Sequence, residues 1–277
     1  MRDLIGKTAF VTGGASGIGF ALGQALAQAG MKVMLADVEP PALDRAVAAL
    51  QETGAAVRGI VCDVADRNAV QDAARATIAA FGKVHIVCNN AGVGAGGPTE
   101  QVAPADWQWV LGVNLMGVIH GIEAFLPRIK TQGEGGHIVN TASMAGMICA
   151  PQMGPYNTAK FGVVALSETL AAELAGSGIG VSVLCPGWVN TRILESGRNR
   201  PAQLGGVPSA SIGGDQAGVI AEFVRSGMAP KEVAARVMAA IRDNDFYVFT
   251  HPGMRNWIED RFRRILAAFD KAAAFEQ

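Results

Sequence analysis

Short apolar runs rich in β-branched residues alternate with Ala- and Leu-rich segments of helical period along most of this chain of 277 residues. Each apolar run is almost continuous in its hydrophobicity, which is typical of strands buried on both faces. The alternation therefore predicts an α/β fold, with a parallel sheet covered by helices on both sides. No linker or change of composition divides the chain, so we expect a single domain over residues 1–277. The predicted strands are TAFV (8–11), KVMLA (32–36), VRGIVC (57–62), VHIVC (84–88), HIVNTA (137–142), VSVLC (181–185) and FYVFT (246–250).

The first predicted strand runs into a glycine-rich turn, TGGASGIG at residues 12–19, and a helix follows directly. The glycines let the backbone turn tightly and approach a pyrophosphate, while the amides at the helix N-terminus face its negative charge. The spacing G-x-x-x-G-x-G differs from the general G-x-G-x-x-G pattern, so that fingerprint is not claimed. The predicted phosphate-binding residues are Gly13, Ser16, Gly17, Ile18 and Gly19.

The second predicted strand ends at an acidic residue, Asp37, which Val38 follows. In dinucleotide-binding folds a carboxylate at this point accepts hydrogen bonds from the adenosine ribose. Its charge repels a 2′-phosphate, and no Lys or Arg at residues 14–16 or at Val38 offsets that repulsion. We therefore predict NAD(H) as the cofactor in preference to NADP(H).

Two further strand ends carry short polar motifs, CDV at 62–64 and NNAG at 89–92. Asp63 is predicted to accept a hydrogen bond from the adenine amino group, and NNAG to turn the chain sharply beside the cofactor. Taken singly, each motif is also an ordinary turn signal. The predicted contacts here are Asp63, Val64, Asn90, Ala91 and Gly92.

The net charge and the cysteine spacing argue against several classes of protein. The formal net charge of −1 gives no electrostatic footprint for nucleic acid or an anionic membrane. The four cysteines are far apart and lack C-x-x-C spacing, so we predict neither a metal site nor a disulfide framework, but buried, reduced thiols. The first residues do not follow the order of a signal peptide, and the longest uncharged run is broken by polar residues and glycines. We expect a soluble cytoplasmic protein.

One segment interrupts the alternation of strands and helices. Residues 192–228 are rich in Gly, Ser and Pro and show no clear period. Long irregular segments in compact domains are uncommon unless they are functional or disordered. This one follows the C-terminal end of a strand, where open α/β sheets bind ligands, so we predict a substrate lid. A flexible insertion without function is the alternative.

The chain has only two tyrosines, and one of them, Tyr156, stands four residues before Lys160. Residues four apart lie on the same face of a helix. A phenol with an ordinary pKa near ~10 is too weakly ionised to act as a base. An ammonium about 4 Å away, at an effective dielectric constant near 20, favours the phenolate by roughly 4 kcal/mol, or about three pKa units. We predict that Lys160 lowers the pKa of Tyr156 in this way. A lone Y-x-x-x-K match is more often a half-buried tyrosine beside a solvated lysine.

Several of these motifs occur together, in order, at the ends of successive strands: TGGASGIG, Asp63, NNAG, Ser143, the Tyr156 to Lys160 pair and PGWVNT at 186–191. With Asn114 they resemble the short-chain dehydrogenase/reductase family, in its single-domain subclass with a T-G-x-x-x-G-x-G motif. The resemblance implies a seven-stranded, Rossmann-type doubly wound sheet and hydride transfer between a nicotinamide and an alcohol or carbonyl carbon. It also implies a homo-oligomer, a dimer or tetramer. Its nicotinamide contacts correspond to Pro186, Gly187, Val189 and Thr191.

The same resemblance implies a catalytic set of four residues, Asn114, Ser143, Tyr156 and Lys160. Tyr156 is the acid and base, and Lys160 also binds the ribose. Ser143, at the end of the fifth strand, is predicted to hydrogen-bond the substrate oxygen. Asn114, in a helix that is otherwise apolar on that side, is predicted to support a water for proton relay. The alternatives are that Ser143 is only a turn residue at the end of the strand and that Asn114 is only a polar residue that bends its helix.

Apolar residues surround the predicted substrate position, namely Met144, Met147, Met153 and Trp188. They predict a neutral secondary alcohol or ketone that is hydrophobic or aromatic, although such methionines are as often core residues. A C-terminal helix is expected at about 254–275, with an apolar stripe that packs on its own sheet or on another subunit. Two other functions stay open: an NADPH-dependent reductase of oxoacyl thioesters or ketones, and a non-catalytic NAD-sensing or scaffold protein. Asp37 argues against the first, and the complete catalytic set argues against the second.

Overall fold

The computed structural model describes residues 1–206, 217–273 and 275. Its centre is a sheet of seven parallel strands in the order β3-β2-β1-β4-β5-β6-β7, which confirms the predicted fold. Most strand residues are buried, because helices cover both faces. The strands are β1 (Thr8–Thr12), β2 (Lys32–Asp37), β3 (Val57–Val61), β4 (Ile86–Asn89), β5 (Gly136–Thr141), β6 (Ile179–Cys185) and β7 (Tyr247–Phe249).

Helices form a layer on each side of this sheet, and each layer has its own apolar core. On one side Leu22, Leu26 and Ile241 pack against β1 and β2. On the other side the rings of Phe10 and Phe125 lie 4.3 Å apart between their centroids. The α-helices are α1 (Gly17–Gln28), α2 (Pro40–Gln51), α3 (Arg67–Phe81), α4 (Pro104–Leu111), α5 (Gly117–Gln132), α6 (Gly154–Glu173), α7 (Ala217–Arg225), α8 (Pro230–Asp243) and α9 (Arg255–Ala273).

The strand order reverses beside β1, which lies between β2 and β4. At such a switch point the loops leave the sheet in opposite directions, and a crevice opens beyond the carboxyl ends of the strands. Thr12 ends β1 and Asn89 ends β4, so the glycine turn and the NNAG motif both begin at this crevice. The topology therefore places the predicted cofactor motifs at the position where open α/β sheets bind ligands.

Helices α4 and α5 are joined by a π-helical turn, Gly112–Met116, into one continuous helix. The combined helix, Pro104–Gln132, is long and apolar enough to cross a membrane by length and composition alone. Half of its most apolar window is buried inside the protein, and α4 and α5 pack against α6 and α3. These contacts are those of a core helix in a globular domain.

The predicted lid is more regular than its sequence suggests. It contains two 3₁₀ helices, Ile193–Asn199 and Ala202–Leu204, before α7. Residues 207–216, which belong to the same predicted lid, lie outside the described residues. Short 3₁₀ helices lack a 3.6-residue apolar period, so the absence of a period did not mean the absence of structure.

Helix α9 lies close to its predicted position, and it does not pack on its own sheet. None of its residues is buried, and its apolar stripe faces outward. The guanidinium of Arg261, 5.0 Å from the ring centroid of Phe161, connects it to α6. The exposed apolar residues of the stripe are Trp257, Phe262, Ile265, Leu266 and Phe269.

Candidate active site

The glycine turn after β1 requires glycine at several positions. Gly13 and Gly17 have φ angles of 64° and 53°, in the left-handed region that favours glycine. A Cβ atom on Gly19 would lie 2.0 Å from the carbonyl oxygen of Gly13. The turn therefore presents its backbone to the crevice and packs α1 tightly against β1. A backbone cradle at a helix N-terminus fits the pyrophosphate of a dinucleotide.

The carboxylate of Asp37 is fixed at the end of β2. Its Oδ2 atom accepts a hydrogen bond from the amide of Ala15 at 3.0 Å, and its Oδ1 atom accepts one from the amide of Glu39 at 3.1 Å. The first of these bonds ties β2 to the glycine turn. The carboxylate lines the same cavity as the turn, as a partner for ribose hydroxyls must.

This cavity has a volume of about 720 Å³ and runs along the carboxyl ends of the strands. All but one of the predicted cofactor contacts line it, and the exception, Gly19, is buried beneath the turn. The size and the glycine cradle together fit a dinucleotide with a small substrate. The lining residues predicted from the sequence are Gly13, Ser16, Gly17, Ile18, Asp37, Val38, Asp63, Val64, Asn90, Ala91, Gly92, Tyr156, Lys160, Pro186, Gly187, Val189 and Thr191.

Threonines at the strand ends hold these motifs in place, and the sequence analysis missed them. The hydroxyl of Thr12 accepts hydrogen bonds from the amides of Asn90 at 2.8 Å and Ala91 at 3.0 Å. The hydroxyl of Thr141 donates to the side-chain oxygen of Asn90 at 3.3 Å. Thr250, directly after β7, accepts from the amide of Gly187 at 3.0 Å. A threonine repeated at the ends of TAFVT, HIVNT and FYVFT was the available signal.

Tyr156 and Lys160 lie in the first two turns of α6, on the face toward the cavity. The ammonium of Lys160 is 5.6 Å from the centroid of the Tyr156 ring and donates a hydrogen bond to the carbonyl oxygen of Thr141 at 2.8 Å. Ser143 follows β5, and its hydroxyl accepts from the amide of Ala145 at 3.1 Å. Tyr156 and Ser143 share a side-chain hydrogen bond. The fold thus brings together three of the four predicted catalytic side chains.

The pKa values of this group differ from the expectation. Burial raises the pKa of Tyr156, and the hydrogen bond with Ser143 opposes that shift only in part. Burial also lowers the pKa of Lys160, to about 8. The lowering of the Tyr156 pKa by Lys160 stays a prediction. Removal from water disfavours the charged form of each group, which raises the pKa of the phenol and lowers the pKa of the ammonium.

The low pKa of Lys160 predicts a pH-dependent stability. Its folded value, about 8, lies below the ordinary 10.5, so between these values the unfolded chain binds more protons. The free energy of unfolding contributed by Lys160 therefore rises with pH across this window. We expect Lys160→Met to be more stable than the wild type at pH 7, by on the order of 1–3 kcal/mol. That advantage should shrink as the pH approaches 10.5.

Denaturant titrations of both proteins at intervals from pH 7 upward measure this difference. The exposed Lys130, replaced by methionine, is the control and should show no comparable dependence on pH. An advantage of Lys160→Met that is constant or grows with pH would contradict the prediction.

Asn114 is fully buried in the π-helical turn and does not line the cavity. Its side-chain oxygen accepts from the amide of Val93 at 2.8 Å, and its side-chain nitrogen donates to the carbonyl of Val93 at 2.8 Å. A Cβ atom on Gly92 would be 3.5 Å from this oxygen and 3.8 Å from the ammonium of Lys160. The amide therefore fixes the chain after NNAG, directly beside Lys160. The proton-relay water stays a prediction.

The substrate end of the cavity is apolar, as predicted, but one methionine was assigned wrongly. Met144, Met153 and Trp188 line the cavity, whereas Met147 packs against a core cluster that includes Val163. A 3₁₀ turn at Met144–Gly146 turns Met147 away from the direction of Met144. The structure adds apolar lining residues that were not predicted from the sequence: Trp109, Leu204, Ile220, Val224, Met254 and Trp257.

The two arginines that line the cavity among the described residues are paired with acids. Arg198 binds Glu39, and Arg192 binds Glu195. Among the described residues, no group of three or more His, Cys, Asp or Glu side chains could hold a metal ion. Three cysteines are buried, and burial raises the pKa of the Cys88 thiol to about 12. Cys149 is exposed, so the prediction of buried thiols was wrong for that residue.

The parallel sheet with its glycine cradle, and the tyrosine, lysine and serine beside it, define a dinucleotide-dependent oxidoreductase. Comparison with known proteins supports the same class. The family model described as short chain dehydrogenase matches residues 7–202. The chain belongs to the short-chain dehydrogenase/reductase family.

Relatives of known name are similar over almost the whole chain. The C alpha-dehydrogenase of Sphingobium sp. (strain NBRC 103272 / SYK-6) is 37% identical over 96% of this chain and 87% of its own length. The CLA biosynthesis dehydrogenase/reductase of Lactiplantibacillus plantarum is 32% identical over 96% of this chain and 95% of its own. A crystal structure of a short chain dehydrogenase/reductase from Burkholderia phymatum in complex with NAD is 43% identical, with a TM-score of 0.93 and 97% of both chains covered.

Proposed function

We propose that this protein is an NAD-dependent oxidoreductase that transfers a hydride between the nicotinamide and a secondary alcohol or ketone of hydrophobic or aromatic character. The observation that carries the proposal is the cavity itself. Tyr156, Lys160 and Ser143 lie on its wall, Asp37 lies toward its other end, and the remaining substrate-end lining is apolar. The NAD complex of the Burkholderia phymatum protein supports the choice of cofactor.

In this proposal the glycine turn holds the pyrophosphate and Asp37 holds the adenosine ribose. The backbone and side chains at residues 186–191 hold the nicotinamide end, and Lys160 holds its ribose. When bound, NAD supplies the acceptor or donor of the hydride. The residues of the chain supply binding, orientation and the transfer of the proton.

The proton moves between the substrate oxygen and the phenol oxygen of Tyr156. Ser143 holds both, because its hydroxyl already shares a hydrogen bond with Tyr156. In ketone reduction the phenol must begin protonated, and its raised pKa provides that form. In alcohol oxidation the phenol must first lose its proton, which the positive charge of Lys160 favours. We therefore propose that oxidation gains from raised pH more than reduction does.

The neutral, apolar substrate end supports a hydrophobic substrate. Met144, Met153 and Trp188 form its walls, and the ring of Phe223 stacks on the ring of Trp188 with 5.4 Å between their centroids. A carboxylate or phosphate placed there would lose hydration, and both arginines of the described lining, Arg192 and Arg198, are already paired with acids. Homo-oligomeric state and cytoplasmic location stay predictions, and the exposed apolar stripe of α9 supports the first.

An absorbance screen for NADH formation tests this proposal. Aryl and alkyl secondary alcohols are expected to be oxidised with NAD⁺ at a kcat/KM at least about tenfold higher than small anionic hydroxy acids, because a desolvated anion costs binding energy. NADP⁺ in parallel assays tests the cofactor. Turnover confined to hydroxy acids would contradict the substrate class, and turnover of oxoacyl thioesters with NADPH alone would favour the alternative function.

A further inference from the structure

Residues 192–204, the first part of the predicted lid, lie along the cavity and are fastened at two points. We call this segment the strap. Three consecutive strap residues make the fastenings: Arg198 and Asn199 bind Glu39, directly after β2, and Arg200 binds Asp106, in α4. Because β2 and α4 are separate elements that contribute to the lining of the cavity, the strap connects two of its walls.

The fastening at Arg200 is buried. The side chains of Arg200 and Asp106 are 3% and 0% exposed, and the guanidinium lies 5.4 Å from the ring centroid of Trp109. It also donates two hydrogen bonds to the carbonyl of Leu204, at 3.1 and 2.7 Å. This end of the strap is therefore firmly fixed.

The fastening at Glu39 is partly exposed and involves a single carboxylate oxygen. Arg198 donates to Oε1 from Nε at 3.0 Å and from Nη2 at 2.7 Å, and Asn199 donates to the same atom at 2.9 Å. The side chains of Arg198 and Glu39 are 27% and 26% exposed. These hydrogen bonds, chiefly that from Arg198, hold the pKa of Glu39 below its ordinary value, so it is ionised at neutral pH.

Arg198 has supports of its own within the strap. Its Nη1 atom donates to the carbonyl oxygens of Glu195 at 2.9 Å and Arg192 at 3.4 Å. The position of its guanidinium therefore does not depend on Glu39 alone. What Glu39 supplies is the opposite charge.

Glu39 and Arg198 both line the cavity together with Asp37, the carboxylate assigned to the adenosine ribose. A free guanidinium at this end would attract a ribose 2′-phosphate, because arginine binds phosphate with paired, charge-assisted hydrogen bonds. Such an attraction would offset the repulsion from Asp37. Arg198 is distant from Asp37 in sequence, and the strap brings the two residues to the same cavity.

We propose that Glu39 is a second determinant of cofactor specificity, which excludes NADP(H) by occupying and neutralising Arg198 of the strap. Asp37 acts by repulsion, and Glu39 acts by removing a competing attraction. The inference rests on the proposed preference for NAD(H), so its test measures that preference in the wild type as well. It makes Glu39 a specificity residue that is not required for the proton transfer.

Fluorescence titrations of NADH and NADPH against the wild-type protein and three variants test the proposal without requiring a substrate. Glu39→Gln is expected to lower the Kd for NADPH at least about tenfold and to change the Kd for NADH by less than about threefold. Glu39→Gln combined with Arg198→Met should lose the gain for NADPH, because the cation is gone. Glu222→Gln is the matched control: it removes the same charge from an exposed ion pair outside the cavity lining and leaves the pair of Arg198 with Glu39 intact.

The outcomes separate the two claims. A wild type that prefers NADH, with no gain for NADPH in Glu39→Gln, overturns the inference alone. An equal gain in Glu222→Gln, or a gain that persists without Arg198, also overturns it, because the cause would then be net charge. A wild type that binds NADPH more tightly than NADH overturns the proposed cofactor preference and this inference with it. The substituted side chains are partly exposed, and thermal unfolding followed by circular dichroism verifies that each variant is folded.

Discussion

Replacing Tyr156 by phenylalanine is expected to lower kcat by about 10³-fold, within the range of about 10²–10⁴ that a positioned acid or base contributes. The change removes one oxygen atom and leaves the ring where it lies against Lys160. Among the described residues, Tyr156 is the side chain that shares a hydrogen bond with Ser143, and the other partners of Ser143 are backbone groups. Without the phenol, none of these partners can exchange a proton with the substrate oxygen. Initial rates in both directions, with the best alcohol and ketone from the screen, measure the effect.

The chain provides a matched control in its only other tyrosine. Tyr247 is exposed and donates its hydroxyl to Glu168, on a sheet edge away from the cavity lining. Tyr247→Phe should leave kcat within about twofold, as expected for an exposed substitution. The Kd for NADH should also stay within about twofold in Tyr156→Phe, because the phenol acts on the proton and not on cofactor affinity. An unchanged kcat in Tyr156→Phe would refute the assignment and favour a protein that binds NAD without turnover.

Replacing Arg200 by methionine is expected to lower the free energy of unfolding by about 3–5 kcal/mol. The variant removes the cation from beside the fully buried carboxylate of Asp106, and it also removes the two hydrogen bonds to Leu204. A carboxylate kept out of water without that cation is far costlier than the pair. Urea unfolding followed by circular dichroism measures the loss.

An exposed ion pair gives the comparison for this prediction. Arg67 binds Glu123 on the surface, where the two side chains are 58% and 41% exposed. Arg67→Met should cost less than about 1 kcal/mol, because water screens and replaces that interaction. A similar small loss in Arg200→Met would show that the strap is not anchored by its buried pair. A large loss with NADH affinity unchanged would show that the anchor serves stability alone.

Most of the fold was predictable because its signals are local. The seven apolar runs became the seven strands with shifts of at most two residues at either end. The glycine turn, with its positive φ angles, is likewise fixed by residue type. The strand order was predicted only from the resemblance to a family, because the periodicity of apolar residues does not show which strands are neighbours in the sheet.

The catalytic candidates were predictable for a different reason. Parallel strands place their carboxyl ends on one edge, so residues at successive strand ends must meet there, however far apart they are in sequence. Asp37, Asp63 and Asn90 were found by this rule, and Ser143 was found through the resemblance to a family; all four line the cavity. Met147 was assigned wrongly because a single 3₁₀ turn decides which of two nearby methionines faces the substrate.

The sequence by itself determined the strands, the backbone cradle of glycines and the identity of the groups at the strand ends, because each follows from residues close together in the chain. The tertiary structure alone decided the burial that shifts the pKa values of Tyr156 and Lys160, the pairing of Arg198 with Glu39 and the buried pair of Arg200 with Asp106. Those properties depend on how much water is excluded around a charge and on which distant charge lies beside it. Both quantities exist only once the chain is folded.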